Sequence, residues 1–239
     1  MKITIIGNSV AMRVRPPLNY PENINYTRHL EKILRERIEK DTHVQNLSLG
    51  GLTIKEVFPQ MDEYIRTFPD FYILNLGVVD SCTRDIPYWL FKIIYGNKQD
   101  LFHRVIGKLY YSAILKKIRP FLVILRGKRS WISEKKYKRM FCTLIEILIK
   151  ETNAKIIVLP INLADERVEK QLPGSRSNHI KFNNIMNEAC QNERIQYVNF
   201  SEFNSNEYYP DGIHFSGRGH KKIAEKTFEI IKREKQINN

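Results

Sequence analysis

The chain has little of what marks a secreted scaffold, a membrane span or a tandem array. Of its 239 residues only three are cysteine, at 82, 142 and 190. They form no C-x-x-C pair. That argues against a disulfide framework and against a cysteine zinc site, and it fits a reducing compartment. No apolar run approaches the ~20 residues that span a bilayer. The N-terminal MKITIIGNSV enters a strand at once and lacks a signal peptide's long apolar core and small-residue cleavage site. Internal repeats, low-complexity tracts and Gly/Ser linkers are also missing. The expectation is a cytoplasmic chain with one domain over residues 1–239. His29, His43, His103 and His220 share no spacing with each other or with carboxylates that would hold a metal, so neither metal nor cofactor is expected.

What is abundant is positive charge. The formal net charge is +13, and it is concentrated. Between Arg104 and Met140 twelve Lys and Arg stand against one acid, Glu134, while the rest of the chain is close to neutral. Three readings of this segment are open. It can be a solvated helical surface. It can meet an anionic membrane surface, holding the chain at the inner face of the membrane, with Leu109, Tyr110, Tyr111, Ile114, Leu115 and Ile118 as an apolar face beside Lys116, Lys117 and Arg119. It can also recognise an acidic glycan or another polyanion. Nucleic acid is disfavoured, because no binding motif accompanies the charge.

Short β-branched runs alternate with amphipathic stretches. Strands are predicted at Lys2–Ile6, Val44–Leu49, Phe71–Leu76, Lys155–Leu159 and Ile195–Phe200, each ended by Gly, Pro, Asn or Ser. Helices are predicted near Asn23–Lys40, Ile54–Thr67, Glu134–Glu151, His179–Asn192 and Gly219–Lys235. Such alternation implies right-handed βαβ crossovers and a parallel sheet with helices on both faces. The stretch from about 81 to 133 is too long for a crossover loop of roughly 2–6 residues. It reads as a helical insertion at the sheet's C-terminal edge, with helical pieces at Trp89–Tyr95 and Arg104–Ile118.

Three features with chemical potential follow predicted strands. Gly7-Asn8-Ser9 follows the first, where Ser9 can present its hydroxyl to a site or simply cap a helix. Asn46 to Thr53 follows the second and Gly77-Val78-Val79-Asp80 the third. Gly51 can bring a backbone N–H to a reacting oxygen, or serve only as a turn. Asp211-Gly-Ile-His214 precedes the last helix. An Asp three residues before a His can reach Nδ1 and leave Nε2 as a base. The alternative is a turn aspartate beside a surface imidazole. His179 can touch substrate near the mouth or be merely exposed, and Arg13 and Arg15 can clamp an anionic substrate or be solvated.

Together these blocks resemble the SGNH/GDSL hydrolases: Gly-Asn-Ser near the start, Gly51 before Leu-Thr, Gly77-x-x-Asp80, and Asp211-x-x-His214 within DGIHFSxxGH. The absence of a G-x-S-x-G elbow separates the chain from lipase-type α/β-hydrolases. The resemblance implies a flavodoxin-like three-layer α/β/α sandwich with a parallel sheet of about five strands. It implies a Ser9 nucleophile, a His214 base and an orienting Asp211, with the N–H groups of Ser9 and Gly51 as oxyanion hole. Asn8, Arg13, Asp80, Arg84 and His179 are the further candidates for substrate contact. Two positions depart from the family pattern. Asn8 replaces the usual Asp, and Val79 stands where an Asn side chain normally donates to the oxyanion. Loss of such a donor costs about 10²–10³ in rate, unless Asn8, Asn75 or Arg84 substitutes. This variant looks like a subset associated with bacterial surface polysaccharides. The expected activity is removal of a small acyl group, such as O-acetyl, from a glycan or other small-molecule ester. The alternatives are O-acyl transfer to a polysaccharide or its precursor, and a catalytically weak glycan-binding or membrane-peripheral protein.

Overall fold

In the computed structural model, residues 1–12, 24–95, 105, 116–199 and 207–237 are described. Five strands, β1 (Lys2–Gly7), β2 (His43–Asn46), β3 (Phe71–Asn75), β4 (Lys155–Val158) and β5 (Ile195–Tyr197), form one parallel sheet in the order β2-β1-β3-β4-β5. Helices flank it in a three-layer α/β/α arrangement. β3 is buried along its whole length and β1 everywhere but Lys2. That is why both read as near-continuous apolar runs, broken in β1 only by Thr4, rather than alternating ones. Edge strand β2 is only half covered, and its sequence is correspondingly polar. Each predicted strand is present; β1 runs one residue past its predicted end, and the other four stop one to three residues early where the chain leaves for a loop. Phe200, the predicted end of β5, lies outside the described residues.

On one side α1 (Tyr26–Arg37) packs on the last helix, Gly217–Ile237. The predicted helix over 54–67 is divided into α2 (Ile54–Val57), a 3-10 turn at Phe58–Gln60 and α3 (Met61–Ile65). Pro59 lies in that turn, with no N–H to give and a ring that crowds the preceding turn. After β3 come α4 (Val78–Ser81), α5 (Tyr88–Tyr95) and α6 (Lys116–Leu125); most of the predicted helix 104–118 lies outside the described residues. Next are α7 (Glu134–Glu151), α8 (Glu166–Gln171), α9 (Ser175–Ala189) and the last helix, α10. Tyr137 and Phe141 of α7 and Phe182 of α9 are fully buried against each other. An antiparallel bridge between Thr83 and Ser130 closes the insertion at its base. Among the described residues no helix is long and apolar enough to cross a membrane.

The strand order has a mechanical consequence. From β1 the chain moves to one side to make β2 and then returns to the other to make β3. The connections diverge there, which opens a crevice at the C-terminal ends of β1 and β3, the usual ligand position in open α/β sheets.

Candidate functional site

Ser9 sits at that divergence. Gly7, its second neighbour upstream, is the last residue of β1 and lies opposite Asn75 of β3. A Cβ there would meet Ser48 Oγ at 2.9 Å and the Asn75 carbonyl at 3.0 Å, so only glycine lets the three strand ends approach. The chain then turns through a 3-10 segment, Ser9–Ala11. Its N-cap is Asn8, whose side chain accepts from the Val10 N–H at 3.1 Å. Asn8 therefore does the capping that the sequence left open for Ser9. The Ser9 hydroxyl is instead 2.9 Å from His214 Nε2.

The other nitrogen of His214, Nδ1, is 2.9 Å from Asp211 Oδ2. Asp211 is both a turn residue and a ring partner. Its Oδ1 accepts from the backbone N–H groups of Ile213 at 3.0 Å and His214 at 2.7 Å, while Oδ2 takes the imidazole. Burial alone would raise this carboxyl. The hydrogen bonds from the His214 ring, from its backbone N–H and from Ile213 outweigh burial and hold it at about 2. An ionised carboxylate only accepts, so Nδ1 carries the proton and Nε2 presents its lone pair to Ser9 Oγ–H.

The loop bearing this pair is fastened by residues that sequence reading missed. Arg167, at the start of α8, donates to the Tyr209 carbonyl at 2.7 Å and to the Pro210 carbonyl. Asp165 aligns its guanidinium and also caps α8. Asn162, just past β4, donates to the Gly212 carbonyl at 2.7 Å. Gly212 adopts φ +79, and a Cβ would lie 2.5 Å from Val168 Cγ2 and 2.8 Å from Asp165 Oδ1. Ser216 begins α10 by accepting the Gly219 N–H at 3.1 Å. The position of Asn162 after a strand was the one available signal; the Arg167 contacts span 42 residues or more and left none. His220 of the same block is buried and accepts the Tyr26 N–H at 3.1 Å, tying α10 to the start of α1.

The second and third blocks come to the same edge. Beyond β2, Leu47 and Leu49 donate to the Ile5 and Gly7 carbonyls, so the segment up to Gly50-Gly51 leaves from beside Ser9's strand. Gly51 is exposed with φ +74. Among the described residues no backbone acceptor takes the N–H of Gly51 or of Ser9. Val79 is buried in α4.

Four candidates for substrate contact have other work. Asp80 is completely buried, and its Oδ1 accepts the Ile54 N–H at 2.9 Å, one of the unpaired amides opening α2. Burial pushes its carboxyl up to about 7 against the opposing pull of Ile54 N–H and Arg84. His179 is neither exposed nor at the mouth. It is fully buried between the Asn162 carbonyl, 2.7 Å from Nδ1, and Cys82 Sγ, 3.3 Å from Nε2, because α9 begins at Ser175 and carries it beneath α4. Arg84 lies 3.9 Å over the Trp131 ring and donates to the Val79 carbonyl at 2.9 Å, so its guanidinium is not the missing oxyanion donor. Asn8 is buried as the cap described above. Arg13 lies outside the described residues. Among the described residues no group of three His, Cys, Asp or Glu side chains could hold a metal ion.

A cavity of about 260 Å³ adjoins the loop that carries Asp211, lined among others by Asn162, Asn183, Asn184, Tyr197, Asn199 and Tyr209. None of its lining side chains is charged.

Residues 5–222 match the model of the GDSL-like lipase/acylhydrolase family. No curated protein sequence matches the chain. Among solved structures, a lipase/acylhydrolase from Enterococcus faecalis superposes with a TM-score of 0.66 at 14% identity, over 98% of this chain and 96% of that one. The acetyl xylan esterase AlAXEase gives 0.63 at 13%, over 97% and 100%. The acetyl xylan esterase Axe2 of Geobacillus stearothermophilus, as a variant, gives 0.61 at 15%, over 95% and 93%. At such identities the similarity establishes the shared fold.

Proposed function

The chain belongs to the GDSL-like lipase/acylhydrolase family, and on that premise we propose a serine esterase with Ser9 as nucleophile, His214 as general base and Asp211 as its orienting partner. The observation that carries this is the continuous relay from Ser9 Oγ through both ring nitrogens to Asp211 Oδ2, with 2.9 Å at each link. As Ser9 Oγ attacks the ester carbonyl, Nε2 takes its proton and Asp211 balances the imidazolium. The tetrahedral oxyanion is received by the backbone N–H groups of Ser9 and Gly51. Collapse breaks the bond to the leaving oxygen, which takes the proton from Nε2 and departs as the alcohol, leaving an acyl-Ser9. Water then attacks the acyl carbon while giving a proton to the same nitrogen, and collapse breaks the bond to Ser9 Oγ, which takes that proton back as the acid leaves. With Val79 in place of an amide donor, stabilisation is weaker by one hydrogen bond, so turnover is modest rather than fast.

The substrate we infer is a small acyl ester, O-acetyl in the first instance, on a carbohydrate. Two of the similar structures are acetyl xylan esterases. The uncharged lining of the cavity beside the Asp211 loop, with Asn184 and Tyr197 among its polar side chains, suits a neutral sugar. The test is hydrolysis of a short-chain p-nitrophenyl ester and of a panel of acetylated oligosaccharides, wild type beside Ser9→Ala. Activity should fall at least ~10³-fold in the variant. Equal rates in both proteins would remove Ser9 from the mechanism. Acetate released to water identifies the hydrolase, and acetyl appearing on an added sugar identifies the transferase.

A further inference from the structure

Helix α6 turns an apolar face outward. Ile118, Phe121, Ile124 and Leu125 are 40%, 64%, 54% and 72% exposed, while Val123 on the opposite side is fully buried and holds the helix to the body. Their spacing puts all four on one arc of the helix. Single exposed apolar residues need no explanation, but four large ones in adjacent turns do. Along the segment itself the charge has one sign, while the neighbouring helix α8, which packs on α6, carries Glu166 and Glu169 beside Arg167 and Lys170. Lys117, Lys128 and Arg129 are exposed and Arg126 is half-buried, with no Asp or Glu between 116 and 133. Arg119 is paired with Asp85 at 3.5 Å and is not part of the surplus.

We propose that this face docks on an anionic lipid bilayer. Its two features select that partner over the others. A soluble acidic glycan would account for the cations and leave Phe121, Ile124 and Leu125 without purpose. A second copy of the chain would cover the apolar face and bring two clusters of like charge together. A bilayer accepts both, with side chains entering the acyl boundary and cations meeting the headgroups. The apolar face differs from the one predicted around 109–115, residues that lie outside the described ones; Ile118 is common to both.

The docking helix is joined to the site's edge of the sheet. Arg126 donates to the Arg84 carbonyl at 3.0 Å, the Arg84 N–H donates to the Arg129 carbonyl at 3.0 Å, and the Arg84 guanidinium holds the Val79 carbonyl. A docked chain thus fixes α4, the third block of the site, relative to the membrane.

The experiment is sedimentation of the full chain with vesicles of phosphatidylcholine alone and of phosphatidylcholine mixed with phosphatidylglycerol. Binding is expected only to the anionic vesicles and should weaken as salt is raised. Phe121→Ser with Leu125→Ser should lower the partition about tenfold or more. Lys128→Ala with Arg129→Ala should weaken it and flatten the salt dependence. All four side chains are exposed, so thermal unfolding should be unchanged, and Phe121→Trp should blue-shift on adding anionic vesicles as an independent reading. No binding to anionic vesicles overturns the proposal. So does binding that the apolar substitutions leave intact while soluble dextran sulfate competes fully, which would mark a polyanion site. A dimer in gel filtration that the same substitutions dissolve would overturn it as well.

Discussion

Replacing Asp80 by asparagine separates the effect of a buried proton from that of a buried hydrogen bond. In the fold, burial holds this carboxyl near 7, against an ordinary value of 3.8. The folded state therefore keeps a proton that the unfolded chain releases at lower pH. With more protons bound in the folded state, stability falls as pH rises through that window. The contribution is fully present below the unfolded value and is lost by the time pH passes the folded one. About 3 units of difference correspond to about 4 kcal/mol at most, and to about 3–4 kcal/mol between roughly pH 4 and pH 8. In Asp80→Asn the amide oxygen still accepts the Ile54 N–H, and the titrating group is gone. Urea unfolding of both proteins across that range gives the answer as a difference of slopes, in which every other titrating residue cancels. The wild type should lose those few kcal/mol relative to the variant as pH rises. Parallel pH profiles would refute the reasoning, because Asp80 would then be ionised in the fold throughout.

Asp211→Asn keeps the turn hydrogen bonds and removes the charge that sets the His214 tautomer, so kcat should fall about 10⁴-fold with little change in thermal unfolding. Because the wild-type carboxyl titrates near 2, its charge is present above the ordinary carboxyl range and lost only as pH falls through about 2. An acid limb of activity nearer neutrality must therefore come from another group. Arg167→Ala releases the Tyr209 and Pro210 carbonyls, and kcat for a p-nitrophenyl ester should drop about tenfold or more while KM stays close to wild type; the reverse split would assign Arg167 to substrate binding. Gly212→Ala forces a Cβ into Val168 and Asp165 at a left-handed φ, and should cost about 2–4 kcal/mol in urea unfolding.

The fold was legible because its determinants are local and periodic. Buried parallel strands call for near-continuous apolar runs, and β1, β3 and β4 are such runs. Helix α7 matches its predicted bounds, Glu134–Glu151, because its buried Tyr137, Phe141, Leu144 and Leu148 recur at helical spacing. The relay was legible for a different reason. Asp211 and His214 lie three residues apart and Ser9 follows a strand, features that each left a bland alternative open, and it was the resemblance to the SGNH/GDSL pattern that joined them into one site. What remained hidden were the partners chosen by burial. Asp80 is a candidate from the third sequence block, Arg84 a stand-in oxyanion donor from the insertion, and His179 a histidine beside a predicted helix start. In space, α9 slides beneath α4 and the insertion folds back on Trp131, and these groups become internal ties. Sequence alone determined the five-strand sheet and its longer helices, and the family resemblance singled out Ser9, Asp211 and His214. Only the tertiary structure decided which neighbouring polar groups face the crevice and which are spent holding it open. That choice depends on how helices far apart in the chain pack, and no local pattern encodes it.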